Sequence, residues 1–244
     1  MDFTYDEYSK IIALLKKQGY QFTCYRNEYS NSRNVILRHD VDLSLDKALE
    51  FAKFESNLGV TSTYYILLSS YWYNIMDPNS IEKIKVISGL GHDIGLHFDE
   101  SKYIFADNET WEHSITETIT KEAALLRKIL GGTVAIESVS MHIPSSRTLG
   151  ADLKIDGLVN SYGEEYFKNW KYVSDSNMNW RENIFEIIES EEYSRLHILT
   201  HPFWYEDRVR DKKDKVEEYI HNYENKCYKE MKVVVPELDT LLHN

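Results

Sequence analysis

Three short stretches of this chain each place ionisable residues where a β-like segment ends: Arg38-His39-Asp40-Val41-Asp42, Gly91-His92-Asp93-Ile94-Gly95-Leu96-His97-Phe98-Asp99 and Leu199-Thr200-His201-Pro202. Carboxylates and imidazoles at the carboxyl ends of successive strands can converge on one ion, because a parallel α/β barrel gathers those ends at one mouth. Side chains two apart on a strand share a face, so Asp40 and Asp42 are expected to look into that mouth while Val41 packs behind them. One such carboxylate can bind a divalent cation, and the other is left to take a proton from the water that the cation acidifies. His97 is the second expected ligand, since neutral imidazole is the commonest ligand for zinc and similar ions. Gly95, two residues before it, allows close backbone approach. His92, at the start of the same strand, would face the opposite rim and reads as structural. Taken singly, each of these residues is more often a solvated loop group or a satisfied core histidine, and Arg38, His39, Asp40 and Asp42 could instead close a strand end as a polar network. Recurrence at strand ends is what points to a site.

The elements that must carry these residues follow from periodicity. A helix is predicted from Tyr5 to Gln18, apolar at Ile11, Ile12, Leu14 and Leu15. Val35 to Asp42 reads as a strand, and Ser44 as the N-cap of a helix that Gly59 stops. Strands are expected over Thr61–Leu68, His92–Phe98, Val134–Ile143, Gly157–Tyr162, Lys171–Ser176 and Leu196–Trp204. Helices are expected over Ser80–Leu90 and Trp111–Leu130, the second ended by Gly131-Gly132. The charge-dense segment Asp211–Met231 reads as a solvated helical face. This alternation implies an α/β fold with a parallel sheet, and seven strands suggest a barrel related to the TIM barrel. With no Pro-, Gly- or Ser-rich linker in 244 residues, a single domain over residues 1–244 is expected.

Composition narrows the function classes. A formal net charge of −12 argues against a nucleic-acid partner, which would need clustered Lys and Arg. No stretch has the run of apolar residues that a membrane span requires, and the first residues lack the pattern of a signal peptide, so a cytoplasmic protein is expected. Cys24 and Cys227 lie far apart without metal-ligand spacing and read as reduced thiols. Among 18 Tyr and 5 Trp, Trp72 and Trp204 follow the second strand and His201 respectively, where a ring could stack on a sugar; packing is the competing reading for both.

In order and spacing the motifs resemble those of the polysaccharide deacetylases, the NodB-like superfamily that includes carbohydrate esterase family four, and the His-Asp-Val-Asp opening is similar to that of a divergent subgroup. Gly59-Val60-Thr61-Ser62-Thr63-Tyr64-Tyr65 stands for the family's strand-two motif, Gly95-Leu96-His97 for part of its Gly-x-His motif, His142-Ile143-Pro144-Ser145 for its Arg-Pro-Pro-Tyr motif and Leu199-Thr200-His201 for its closing Leu-x-His. The resemblance covers about Val35 to Trp204 and implies a deformed seven-stranded (β/α) barrel and metal-dependent removal of an N-acetyl group from an amino sugar or a sugar-containing intermediate. It places Asp42 on the metal-binding aspartate and His201 on the residue that protonates the leaving amine. Val41 falls on the family's catalytic base, so a base must come from Asp40 or be absent. Ser101 replaces the second metal histidine, and His142, where the family has arginine, is the candidate third ligand beside Asp42 and His97. The expected cofactor is a divalent metal ion, zinc by ligand type, and the expected substrate a small or short carbohydrate. Two rivals remain: a hydrolase of cyclic amides or ureides on the same barrel, and a non-catalytic carbohydrate-binding barrel.

Overall fold

Short parallel strands alternate with helices throughout a computed structural model that describes residues 1–25, 29 and 33–242. In chain order the elements are α1 (Tyr5–Lys17), β1 (Gln21–Thr23), β2 (Asn34–Val41), α2 (Leu45–Asn57), β3 (Thr63–Leu67), α3 (Pro78–Gly89), β4 (Asp93–Phe98), α4 (Trp111–Ile129), β5 (Ile136–Met141), α5 (Ser146–Gly150), β6 (Val159–Asn160), α6 (Glu164–Phe167), β7 (Lys171–Ser174), α7 (Ile184–Glu189), β8 (Arg195–Thr200), α8 (Lys212–Val234) and α9 (Leu238–Leu242). The strands lie in the order β6-β5-β4-β3-β2-β8-β7, every pair parallel. The sheet curls into the deformed seven-stranded (β/α) barrel expected from the sequence. An eighth strand, β1, was not expected; it pairs with Asn34–Ile36 of β2, a stretch too short to show a period.

Burial on both faces explains the composition of the strands. Every residue of β2 and of β3 is buried. On β2 the side chains alternate: Val35, Leu37 and Val41 pack with Ile12 and Leu15 of α1 and with Ala48 and Phe51 of α2. Ile36 turns to the barrel interior, among Tyr25, Tyr65, Tyr166 and Trp170. Arg38 and Asp40 share the parity of Ile36, and His39 that of Leu37, so one strand supplies polar groups to two separate layers.

The barrel is open on one side. Among the described residues no ladder joins β6 to β7; instead the ring of Phe167 lies 5.2 Å from Tyr162 and 4.9 Å from Tyr172, filling the gap with aromatic surface. Several strands are shorter than the sequence predicts, two of them for a local reason. β8 stops at Thr200, because Pro202 has no N–H for a ladder and begins a 3-10 turn over Pro202–Trp204. β5 stops at Met141; two residues on, Ile143 takes a left-handed φ of 47°, which no continuing strand adopts. Ser44 caps α2 as expected, accepting from the Lys47 N–H at 3.3 Å.

Gly95 sits where β4 crosses Tyr65 of β3, and a Cβ there would overlap the Tyr65 ring and come within 2.9 Å of Ser138 Oγ. Gly95→Ala should therefore lower the melting temperature by an amount equivalent to about 1–3 kcal/mol or more; an unchanged melting temperature would show that the ring is free to move aside.

Candidate metal centre

Parallel strands deliver the ionisable residues to one end of the sheet. Asp42 follows β2 directly, His97 is the penultimate residue of β4, and His142 follows β5. Asp42 Oδ1 lies 3.0 Å from His97 Nε2 and 3.2 Å from His142 Nδ1, and the two ring nitrogens are 3.2 Å apart. The three atoms thus form a nearly equilateral face. Ligands about 2.0–2.2 Å from a tetrahedral zinc ion are separated by roughly 3.4 Å, close to these distances. The donor set, two imidazoles and one carboxylate, also suits such an ion. His97 Nδ1 is 3.3 Å from the Ser140 carbonyl; a carbonyl can only accept, so Nδ1 carries a proton and Nε2 is the nitrogen that would present a lone pair to a bound cation. The residues present therefore fit a divalent cation, and Asp42, partly exposed at 28 %, opens the position to the cavity.

Asp40 stands beside this face without belonging to it. Its Oδ2 is 3.7 Å from His97 Nε2, but both of its oxygens are held by Arg38, with Nε–Oδ1 at 2.9 Å and Nη2–Oδ2 at 2.7 Å. Arg38 is fully buried, donates to Ser140 Oγ as well, and lies 4.6 Å from the centre of the Tyr162 ring. Burial alone would push the Asp40 carboxyl up; the Arg38 guanidinium, with His97, outweighs it and holds the group below the ordinary carboxylate range. Burial likewise opposes ionisation of Asp42, and hydrogen bonds from His142 and His97 reverse it. Desolvation would lower His142, whereas its contact with Asp42 raises it.

His201 comes from the residue after β8, with Nε2 3.8 Å from Asp42 Oδ2. Its Nδ1 is 2.6 Å from Asp175 Oδ1, and its backbone N–H donates to Asp175 Oδ2 at 3.1 Å. Burial would depress the imidazole, but Asp175 first, then Asp42 and Asp40, raise it to about 9. Asp175 is fully buried, and the sequence reading did not single it out. The signal was available, since Asp175 is the penultimate residue of the predicted strand Lys171–Ser176, an acidic group near a strand end like Asp42.

Asp40, Asp42, His97, His142, His201 and Trp204 line one cavity of about 690 Å³, with Tyr162, Phe167 and Tyr172 on its wall. Trp204 is buried, 9 % exposed, on the turn after His201. Trp72 is not part of this cavity. Its ring packs 5.5 Å from Tyr219 and 5.3 Å from Tyr223 of α8 and lines a separate groove of about 740 Å³. His92 is structural, as expected: Nδ1 accepts from the Ser62 N–H at 3.2 Å and Nε2 donates to the Ala52 carbonyl at 3.0 Å. Ser101 donates to Asp99 at 2.6 Å and takes no part in the three-atom face. Cys24 and Cys227 are free thiols. No described helix is long and apolar enough to cross a membrane.

No family model matches the chain, and no curated protein does. Solved structures do. A chitin deacetylase from Colletotrichum lindemuthianum is 14 % identical with a TM-score of 0.44, over 84 % of this chain and 87 % of its own. The catalytic domain of a peptidoglycan N-acetylglucosamine deacetylase from Eubacterium rectale is 14 % identical with a TM-score of 0.43, over 84 % and 90 %. A CE4 family pseudoenzyme from Bacillus anthracis is 12 % identical with a TM-score of 0.40, over 81 % of this chain and 63 % of its own.

Two predictions follow from the geometry. Purified protein should bind about one zinc or similar ion, with zinc at a thousandfold excess over its dissociation constant raising stability by about 4 kcal/mol. His97→Ala should abolish both effects, and full retention of metal by that variant, measured by plasma emission, would remove His97 from the ligand set. The second prediction concerns pH. A His201 raised above its unfolded value stabilises the metal-free fold fully below about pH 6.5, and that contribution is lost as pH rises through about 9. Melting temperatures of the metal-free protein should fall across this window, and Asp175→Asn should flatten the fall; equal slopes would deny the pair its role.

Proposed function

We propose that this protein is a metal-dependent hydrolase that removes an N-acetyl group from an amino sugar or a small sugar-containing intermediate. The observation that carries the reading is the pairing of two differently held groups around one three-ligand face: an ionised Asp40 clamped by Arg38, and a protonated His201 held by Asp175. Pairs of titratable groups whose surroundings push their proton affinities apart are the mark of a base and an acid. The resemblance of the motifs to the polysaccharide deacetylases supports the same substrate chemistry. The departures from that family find local substitutes: Asp40 faces the cavity two residues before Asp42, and His142 makes up the nitrogen that Ser101 lacks.

Asp42, His97 and His142 would hold the ion, which when bound supplies a Lewis acid for the amide carbonyl and lowers the pKa of water toward ~7. Asp40 accepts a proton from the attacking water, its carboxylate aimed by the two-pronged contact with Arg38. His201 donates from Nε2 to the amide nitrogen while Nδ1 stays anchored on Asp175. Oxygen–carbon bond formation and carbon–nitrogen bond cleavage leave acetate and the free amine. Trp204, Tyr162 and Tyr172 offer ring faces within the cavity. At about 690 Å³ the cavity falls within the usual ~300–1,000 Å³ of small-molecule sites, so small or short carbohydrates are favoured as substrates. Trp72, on its own groove, is no part of this platform.

Acetate release from a set of acetylated amino sugars and nucleotide sugars, with and without zinc or cobalt, tests the reading; no release from any of them under metal loading would overturn it. Asp40→Asn should keep fold and metal and lower kcat by at least ~10²-fold. His201→Ala should cost more on amide substrates than on p-nitrophenyl acetate, whose leaving oxygen needs less protonation. Equal losses on the two would contradict the acid role.

A further inference from the structure

Behind the cavity, on the opposite face of β2, lies a second polar cluster that the mechanism does not use. Glu55 of α2 and His39 of β2 are both fully buried. Glu55 Oε1 receives hydrogen bonds from His39 Nε2 at 2.9 Å and from the Tyr8 hydroxyl at 2.5 Å; Oε2 receives the Ser62 hydroxyl at 2.6 Å and the Tyr64 hydroxyl at 2.9 Å. The other nitrogen of His39, Nδ1, is 2.7 Å from Thr200 Oγ1 on β8. His39 and Thr200 are also register partners in the β2–β8 ladder. A carboxylate can only accept, so Nε2 carries a proton, and in the neutral ring Nδ1 accepts from the Thr200 hydroxyl.

Packing alone does not call for this arrangement. Glu55 lies on the face of α2 that buries Ala48, Phe51 and Ala52, where an apolar side chain would pack with no carboxylate to desolvate. What a fully satisfied polar network adds is direction, because each bond fixes an angle and a distance that apolar contact leaves loose. The network grips α1, α2, β2, β3 and β8 together, and two of its three strand contacts adjoin the reacting groups. His39 precedes Asp40, and Thr200 precedes His201. A slide of β8 along β2 would change the 3.8 Å separation of His201 Nε2 and Asp42 Oδ2, and displacements of about 1 Å can cost ~10²-fold in rate.

We propose that Glu55, His39 and Thr200 are positioning residues that set the spacing between the strand end bearing Asp40 and Asp42 and the strand end bearing His201, a role that rests on the hydrolase reading above. Thr200→Val keeps the shape of the side chain and removes only the hydroxyl; Thr200→Ser keeps the hydroxyl. Both should fold. Thr200→Val should lower kcat on the acetylated amino sugars by about tenfold or more with KM unchanged and, by displacing the strand end that bears Asp42, weaken zinc binding in a chelator competition. Thr200→Ser should restore both. In the metal-free protein, Thr200→Val should also shift the nitrogen-15 imidazole resonances of His201 and His97, and Thr200→Ser should not. A Thr200→Val protein that melts earlier but keeps wild-type kcat, zinc affinity and imidazole resonances overturns the proposal, leaving the cluster a stabilising role alone. A wild type that binds no zinc or releases no acetate defeats the hydrolase reading instead, and the metal-free resonances then decide the positioning claim by themselves.

Discussion

Two ionised carboxylates on one strand, within reach of the same imidazole, form the constraint around which the mouth of this barrel is built. Asp40 Oδ2 and Asp42 Oδ1 lie 3.7 Å and 3.0 Å from His97 Nε2. Like charges so close in a partly closed throat would drive one of the two to take up a proton. The chain prevents this by giving each its own partners. Arg38, two residues back on the same face, meets Asp40 with a planar fork, and His97 and His142 converge on Asp42. Arg38 could not serve this way as lysine, whose point charge lacks the two-pronged match. In the proposed mechanism the same charge separation reserves Asp42 for a cation and leaves Asp40 to handle protons.

The strands that hold the ligands are legible in the sequence because the barrel requires them to be apolar and to end in polar residues. Val35-Ile36-Leu37 before Asp40, and Ile94-Gly95-Leu96 before His97, announce both the strand and its end. Strand period then places Asp40 and Asp42 on one face, as found. The details that escaped depend on contacts distant in sequence. Trp72 follows a strand as Trp204 does, yet the path of its loop is set when the Tyr73 hydroxyl donates to the Val41 carbonyl at 2.8 Å and accepts from the Leu67 N–H at 2.9 Å, and when α8 arrives beneath the indole. None of this leaves a local pattern. Strand lengths were overestimated where a single residue, Pro202 or Ile143, turns the backbone aside.

Polar residues facing the helices were the other blind spot. His39 read as part of the same polar group as Asp40 because adjacency in sequence hides the alternation of faces. The structure sends His39 to Glu55 and Thr200, and Asp40 to Arg38 and Ser140. A glutamate recurring with Ala48 and Ala52 on one helical face is the trace that Glu55 leaves. It becomes meaningful only once the partners that satisfy its oxygens are known.

The position of β2 in the sheet has a kinetic consequence. β2 lies between β3, its near neighbour in sequence, and β8, so Asn34 pairs with Arg195 and His39 with Thr200 across most of the chain's length. Local βαβ units from β2 to β5 can assemble early and bring Asp42, His97 and His142 together, whereas His201 and the partner edge of β2 arrive only after a long loop has closed. During synthesis the face formed by Asp42, His97 and His142 can thus exist while β2 still exposes an unpaired edge, a state prone to association with other chains until the carboxyl-terminal strands emerge. The order in which the ribosome delivers the strands makes His201, the proposed acid, the last of these groups to reach its place.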